Sequence, residues 1–537
     1  MTTRGQLAGP PGAGEGGIVS EFLRRADERP AAAALVFTRT GVRNSNTADS
    51  VTFRELGERA ERFAAGLRAT GLGPGDRLIL ATPLSVDFYA LSLAVVGSGL
   101  TLVLIDGRMD RRRLLAALRA ARARAIVSTT AALRRWPLVS ALWRLRRFAS
   151  DGTGPGVRAL SELESTGRLS LGDRPLEDVA AISFTSGTSG RAKGVKRSYA
   201  IFQAQHESLS RHLPFRPGDV DMPAFPAVVL HNLCCGVTTV LPPVDLREPG
   251  AADPAAVAAA AREHDVTTLS GAPAYIGRLV EHLLASGERL PRVRRVVVGG
   301  APVTRRLSAR VAEAFPEADG RVVYGSTEAE PIAHVSMSEL RESEGEGFLV
   351  GSRVPELEVA LVDLPERLDK PVGADELSAR AAAVGEVIAR GAGVSRDYAG
   401  DPDAVALNKV REPDGGVWHR TGDIGRLDDQ GRLWLLGRRG ETVTHRGRVL
   451  HPLAVEAGVL DVPGVQAAGL VAHAGEPEGE LAVAVDKQSR LDEIQSRLDA
   501  DGLGTLPIRL LEALPSDARH NSKVDRIALA KLLEDER

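Results

Sequence analysis

The stretch whose residue types and spacing carry the most chemistry is 184–195, FTSGTSGRAKGV. Thr185, Ser186, Thr188 and Ser189 supply hydroxyl donors, and Lys193 adds a full positive charge. Gly187, Gly190 and Gly194 permit backbone conformations that aim successive N–H groups at one anion. Such a loop can cradle phosphate. A flexible surface linker has a similar composition, but a linker rarely follows a buried strand directly, and the apolar run ending in Ile182, Ser183 and Phe184 reads as such a strand. The loop is not a Walker A, because Gly190 is followed by Arg191, Ala192, Lys193 and Gly194 rather than by Lys and a hydroxyl residue.

Two further clusters fit nucleotide chemistry. In YGSTEAEP, residues 324–331, Tyr324 offers a ring to stack on adenine, Thr327 a hydroxyl for a phosphate oxygen, and Glu328 a hard carboxylate for Mg²⁺. Gly325 and Ser326 complete a small-residue loop after a strand, as Gly299, Gly300, Ala301 and Pro302 do after residues 296–298. Ligands of open α/β sheets gather at such carboxyl ends. Thr421, Gly422 and Asp423 read as a tight turn presenting an acceptor-only carboxylate, suited to the two hydroxyls of a ribose. Only seven of the 68 basic residues are lysines, so the lysines at 193 and 523 indicate a need for a compact ammonium at each.

These groups need a large scaffold. At 537 residues the chain should hold more than one domain, most simply one large and one small. Residues 1–17 are rich in Gly, Pro and Ala and read as disordered. Helical spacing from Ile18, a strand around 35–37, an amphipathic helix over 53–67 and the turn GLGPGD before another strand give an α/β alternation. Residues 110–148 interleave Trp136, Leu138, Leu142 and Trp143 with arginines. A docking helix for a membrane surface or acyl carrier fits that composition, as does a solvated face of core-packed helices. The nearly charge-free stretch 220–242 should pass through the interior, leaving its His231 as a core histidine or a pocket wall.

A net charge of −2 gives no nucleic-acid signature. The adjacent Cys234 and Cys235 argue against a disulfide framework or a zinc site, with a reducing cytoplasm as the default. Neither a signal peptide nor a transmembrane stretch is expected.

The motif order resembles the adenylate-forming superfamily of acyl-CoA synthetases, peptide-synthetase adenylation domains and luciferases, from about residue 19 to the C-terminus. That resemblance implies an α/β fold with a large N-terminal multi-subdomain domain (18–436), a hinge (437–440) and a small mobile α+β domain (441–537). It implies attack of a carboxylate on the α-phosphorus of ATP, with Mg²⁺ as cofactor, to give an acyl-adenylate and pyrophosphate. Most relatives then pass the acyl group to coenzyme A or a phosphopantetheine carrier, making an acyl carrier protein a partner to consider beside the small-molecule acid. By the same resemblance Arg438 reaches ribose and phosphate, Gly440 takes the hinge position, His231 borders the acyl pocket, and RHNSK at 519–523 makes Lys523 the catalytic lysine. Ala192 replaces the usual proline, Gly440 the usual Asp or Lys, and Glu441 the following Asp.

Two local features, DMPAFP at 221–226 with Asn232 downstream and RHNSK, resemble the β-lactone synthetases of bacterial olefin biosynthesis. Those enzymes let the substrate's own β-hydroxyl displace AMP. Glu330 departs from that pattern, where an apolar residue is usual; a carboxylate there would bind an amine or polar substrate, or face water. A non-catalytic nucleotide or acyl binder is the competing class, disfavoured because Lys193, Lys523, Glu328, Asp423 and Arg438 are all present.

Overall fold

The computed structural model describes residues 17–38, 50–105, 109–167, 175–185, 193–244, 251–365, 372–472, 478–485, 490–516 and 523–535. Among them the strands form a 14-stranded sheet, a 7-stranded sheet, and, toward the C-terminus, sheets of two and three strands. The fold is the expected mixed α/β one. Strands Arg77–Ala81, Thr101–Ile105, Ala125–Ser128, Arg146–Ala149 and Val179–Thr185 run parallel in the second sheet, and Lys193–Ser198 returns antiparallel along its edge. In the first sheet, Val220–Pro223, Thr268–Gly271, Arg295–Gly299 and Asp319–Ser326 are parallel neighbours, after which the sheet continues antiparallel.

Local sequence explains the helices that pack on these sheets. Thr52 caps helix Phe53–Ala69 by accepting from Glu55 N, while the Glu55 carboxylate accepts from Thr52 N, so two otherwise orphaned donors are satisfied. Helix Val86–Gly97 is apolar all round, and every residue except Asp87 is buried. It belongs to a core that also takes Leu35 and Leu241 from one sheet and Leu78, Leu102 and Ala181 from the other, so a single apolar interior fixes how the two sheets sit.

Three sequence expectations need correction. In the arginine-rich stretch 110–148, helix Arg111–Ala121 buries Ala117 and Ala121 in the core as a core-packed helix does, but the part bearing Trp136, Leu138, Leu142 and Trp143 is no docking helix: Trp136–Leu138 and Ser140–Leu142 are single 3₁₀ turns, where Pro137 removes a backbone donor. YGSTEAEP is not a loop after a strand. Asp319–Ser326 runs on through Ser326 and Ala329–Ser336 begins three residues later, so Thr327 and Glu328 occupy the tip of a hairpin. Nor is Thr421–Gly422–Asp423 a turn, since all three lie within strand Val417–Leu427, which absorbs Gly422 at φ +76°.

At the C-terminal side, strand Leu433–Arg438 ends at Arg438, and Gly440 follows at φ +81°. The remaining elements include the antiparallel pair Val465–Ala472 and Gly479–Val485, the strand Ile508–Leu511 parallel to the latter, and helices Pro452–Leu460, Leu491–Ala500 and Arg526–Asp535. They have their own apolar core around Val459, Leu470, Leu481 and Ile494. Among the described residues no helix is long and apolar enough to cross a membrane.

Candidate active site

A cleft of about 2980 Å³ opens where the strands of both sheets end and continues to the C-terminal elements. Nearly all the residues singled out by chemistry line it. Lys193 comes from the second sheet, and Gly300, Ala301 and Pro302 come from the loop after Arg295–Gly299. Tyr324, Gly325, Ser326, Thr327, Glu328 and Glu330 come from the hairpin. Asp423 and Arg438 come from neighbouring strands, Gly440 from the turn beyond, and Lys523 from just before helix Arg526–Asp535. His231 completes the apolar end of the wall.

Ser186, Gly187, Thr188, Ser189 and Gly190 lie outside the described residues, as does the side chain of Thr185. Their frame is described. Thr185 pairs with Lys193 across the antiparallel ladder. Lys193 Nζ donates to Asn408 Oδ1 at 3.1 Å, and burial lowers its pKa against the pull of Glu328. Gly194 has a different reason than anion binding: a Cβ there would stand 2.7 Å from the Phe184 ring, so glycine permits close packing of the strands.

Glu328 sits in an interlocked cluster. Its carboxylate accepts from the Tyr398 hydroxyl at 2.8 Å, and its backbone carbonyl accepts from Ser395 N at 2.7 Å. Lys409 donates to Ser395 O, with its Nζ 5.1 Å from the centre of the Tyr398 ring. Burial alone would raise the Glu328 carboxyl, yet the His419 and Lys409 side chains and the Tyr398 hydroxyl outweigh it and hold the group below the usual carboxylate range. Lys409 itself is pushed down to about 7, mainly by burial. His419 falls to about 3, again mainly by burial.

A second cluster surrounds Asp423. Tyr324 donates its hydroxyl to Asp423 Oδ2 at 2.7 Å, and Arg438 Nε stands 3.1 Å from Asp423 Oδ1. Asp423 and Arg438 are direct cross-strand partners, so the sheet itself sets this pair. Nearby, Ser326 Oγ is buried with no hydrogen-bond partner among the described residues, a polar group that a bound nucleotide can satisfy. An ionised carboxylate at Glu328, a held acceptor at Asp423 and the cations Lys193 and Arg438 make a donor set that fits a nucleotide polyphosphate with a hard divalent cation.

Sequence reasoning missed several members. Tyr398, Asn408 and Lys409 form no motif, although Lys409, as one of only seven lysines, carried the same signal as Lys193 and Lys523. Arg197 was also missed. It shares a strand face with Lys193, donates to Ser183 Oγ at 2.8 Å, and lies over the Phe202 ring at 4.5 Å. Burial lowers it to about 10 against the opposing charges of Glu330 and Glu328. Glu330 is exposed on the cleft, and its charge acts on that guanidinium. His231 is half-buried in the wall, its Nδ1 3.0 Å from His206 Nδ1.

Beyond Gly440, Arg526 pairs with Glu441 at 2.9 Å and with the buried Glu456, which ties the segment carrying Lys523 to the residue after Gly440. Arg306 on helix Arg305–Ala314 donates to Val465 O, joining the C-terminal elements to the large body in this orientation.

The family model described as AMP-binding enzyme matches residues 22–399. The chain is 34% identical to the olefin β-lactone synthetase of Stenotrophomonas maltophilia over 96% of its own length and 97% of the relative's. It is 31% identical to that of Xanthomonas campestris pv. campestris, with 96% of each chain covered. Among solved structures, the amide bond synthetase McbA of Marinactinospora thermotolerans matches with a TM-score of 0.77 at 23% identity, covering 96% of this chain and 99% of that one. O-succinylbenzoate coenzyme A synthetase of Bacillus subtilis with ATP and magnesium matches at 0.73 and 21%, covering 95% and 98%. At those identities the likeness is one of fold.

Proposed function

The chain belongs to the AMP-binding enzyme family and is an AMP-forming, adenylate-forming ligase, and on that premise we propose that it activates a β-hydroxy acid and closes it to a β-lactone. The observation that carries the second half is the full-length similarity to two olefin β-lactone synthetases, reaching beyond the shared adenylating motifs. In the first half the substrate carboxylate attacks the α-phosphorus of ATP. A carboxyl–phosphorus bond forms and the bond to pyrophosphate breaks. In the second, the β-hydroxyl oxygen attacks the acyl carbon, AMP leaves with the bonding electron pair, and the hydroxyl proton passes to solvent.

Both reactants are anionic, so the residues act chiefly by neutralising charge and aligning the reacting atoms. Lys523 bridges carboxylate and α-phosphate, and Lys193 with the loop 185–190 holds the departing pyrophosphate. Asp423 accepts from the ribose hydroxyls while Tyr324 and the loop 300–302 flank the base. Thr327 binds a phosphate oxygen and Arg438 balances its charge. Glu328 would hold Mg²⁺, whose chemistry here is to offset phosphate charge. Because the Tyr398 hydroxyl orients that carboxylate, Tyr398→Phe is expected to raise the Mg²⁺ concentration for half-maximal activity about 10-fold, the scale for losing a group that orients a metal ligand. An unchanged Mg²⁺ dependence in a titration at saturating ATP would reject this role.

The charge of Glu330 acts on the buried Arg197 guanidinium, and we take that cation as its balance in place of a cationic substrate. Glu330→Gln is therefore expected to leave the preference between paired hydroxy and amino acids within about 3-fold, below the 1.5 kcal/mol or so of a charge-assisted bond. A selective loss for the amino acid alone would place an amine in the pocket.

One feature favours transfer to coenzyme A or a carrier thiol as a second reading: the positive-φ Gly440, with open space around it, suits a small domain (441–537) that rotates about the 437–440 hinge. The test of both readings is acid-dependent ATP/pyrophosphate exchange over β-hydroxy and unsubstituted acids, with and without coenzyme A. We expect β-hydroxy acids to give a product lighter than the acid by one water, independent of coenzyme A. A coenzyme A-dependent thioester would overturn the lactone reading and retain adenylation.

A further inference from the structure

In the cleft wall, two helices bring together matching one-turn pairs. Tyr199–His212 presents His206 and Ser210, and Pro226–Cys235 presents His231 and Cys235, each pair four residues apart and so on one face. His206 Nδ1 is 3.0 Å from His231 Nδ1, Cys235 Sγ is 3.6 Å from His231 Nε2, and Ser210 Oγ is 3.8 Å from Cys235 Sγ. One ligand atom from each of His206, His231 and Cys235 lies within 4.8 Å of the others. A tetrahedral site with bonds of about 2.0–2.3 Å has edges of roughly 3.3–3.7 Å, so the ligand atoms, which span up to 4.8 Å, must draw together by about 1 Å, and His231 must turn one nitrogen to the ion in place of its separate contacts through Nδ1 and Nε2.

We propose that His206, His231 and Cys235 bind one thiophilic divalent cation of the zinc class, with Ser210 Oγ or a water as fourth ligand. Two imidazoles and a sulfur select such an ion over Mg²⁺, which takes oxygen ligands, so this site is separate from the one at Glu328. Binding exchanges the Cys235 proton for the metal: Cys–SH and M²⁺ give the metal thiolate and one proton released to solvent.

The cysteine spacing hid this site because the ligands come from two helices. Cys234 is no part of it: its thiol donates to Ile18 O at 3.1 Å. The neighbouring Cys235 points to the histidines. Since His206 and His231 also line the cleft, a bound ion would pin the two helices that form its acyl-side wall.

The test uses the full-length, tag-free protein, stripped with a chelator and titrated with Co²⁺. One equivalent should bind, with tetrahedral visible bands and a thiolate-to-cobalt charge-transfer band in the near ultraviolet, and Zn²⁺ should displace it. Cys235→Ser should lose the charge-transfer band, and Cys235→Ser and His206→Gln should each bind about 100-fold more weakly, as expected when an anionic or imidazole ligand is removed from a three-residue site. Cys234→Ser should keep both band and affinity. Absence of the band in the parent protein, or binding indifferent to Cys235→Ser and His206→Gln, would overturn the proposal, and neither outcome depends on how a variant folds.

Discussion

Replacing Lys523 by alanine is expected to lower carboxylate-dependent pyrophosphate exchange about 10²–10³-fold, the effect of deleting one donor aimed at developing transition-state charge. ATP affinity should change by less than about 3-fold. The asymmetry follows from where the groups reside. Tyr324, Asp423, Arg438 and Lys193, which we assign to nucleotide binding, all come from the two large sheets. Of the residues to which we assign contacts with the reacting groups or the nucleotide, Lys523 is the one that reaches the cleft from beyond Gly440, held by the bonds of Arg526 to Glu441 and Glu456. Its ammonium can therefore act on the reacting carboxylate and α-phosphate while contributing little to holding ATP. Equilibrium nucleotide binding measured beside exchange separates the two effects. Equal losses in both would mean that Lys523 is a nucleotide-binding residue, and the division of labour between the two parts of the chain would fail.

What the sequence made legible was whatever is contiguous along it. The strand ending at Phe184, the glycine-hydroxyl loop, and Lys193 on the returning strand are one stretch of chain, so composition and periodicity suffice to read them. YGSTE and Thr421–Asp423 were legible as residues but misplaced as loops, for a shared reason. Gly and Asp are turn formers in isolation, yet cross-strand pairs such as Asp423 with Arg438 and Tyr324 with Ala333 hold these segments in extended ladders. Illegible were the groups that converge through tertiary structure. Tyr398 and Lys409 reach Glu328 from a segment about 70 to 80 positions downstream, with no local pattern. Likewise His206 meets His231 only because two helices pack side by side. Arg197 could have been found, since period-two alternation from Lys193 puts it on the same strand face.

The second large effect is expected at Gly440. Its φ of +81° lies in the left-handed region, and a Cβ there would meet no atom within 4 Å, so the demand for glycine is one of backbone conformation and not of space. Alanine fits sterically but carries about 1–2 kcal/mol of left-handed strain, which predicts roughly a 10-fold loss of exchange if the orientation that brings Lys523 to the cleft is the adenylating one. Proline, fixed near −65°, cannot adopt that angle at all, so Gly440→Pro removes this orientation and should lower exchange at least about 100-fold while sparing ATP binding. Synthetic β-hydroxyacyl-adenylate then isolates the second half-reaction. If the substrate's own hydroxyl displaces AMP, closure needs no second placement of the small domain, and Gly440→Pro should form lactone from the supplied adenylate within about 3-fold of the parent rate, with coenzyme A making no difference. If a thiol is the acceptor, the variant should keep or gain coenzyme A-dependent turnover of that adenylate while its exchange is lost, because the angle it forbids is the one thiol transfer leaves behind. The two acceptors thus predict opposite responses to coenzyme A in one protein, and the ratio of product formed with and without it decides between them.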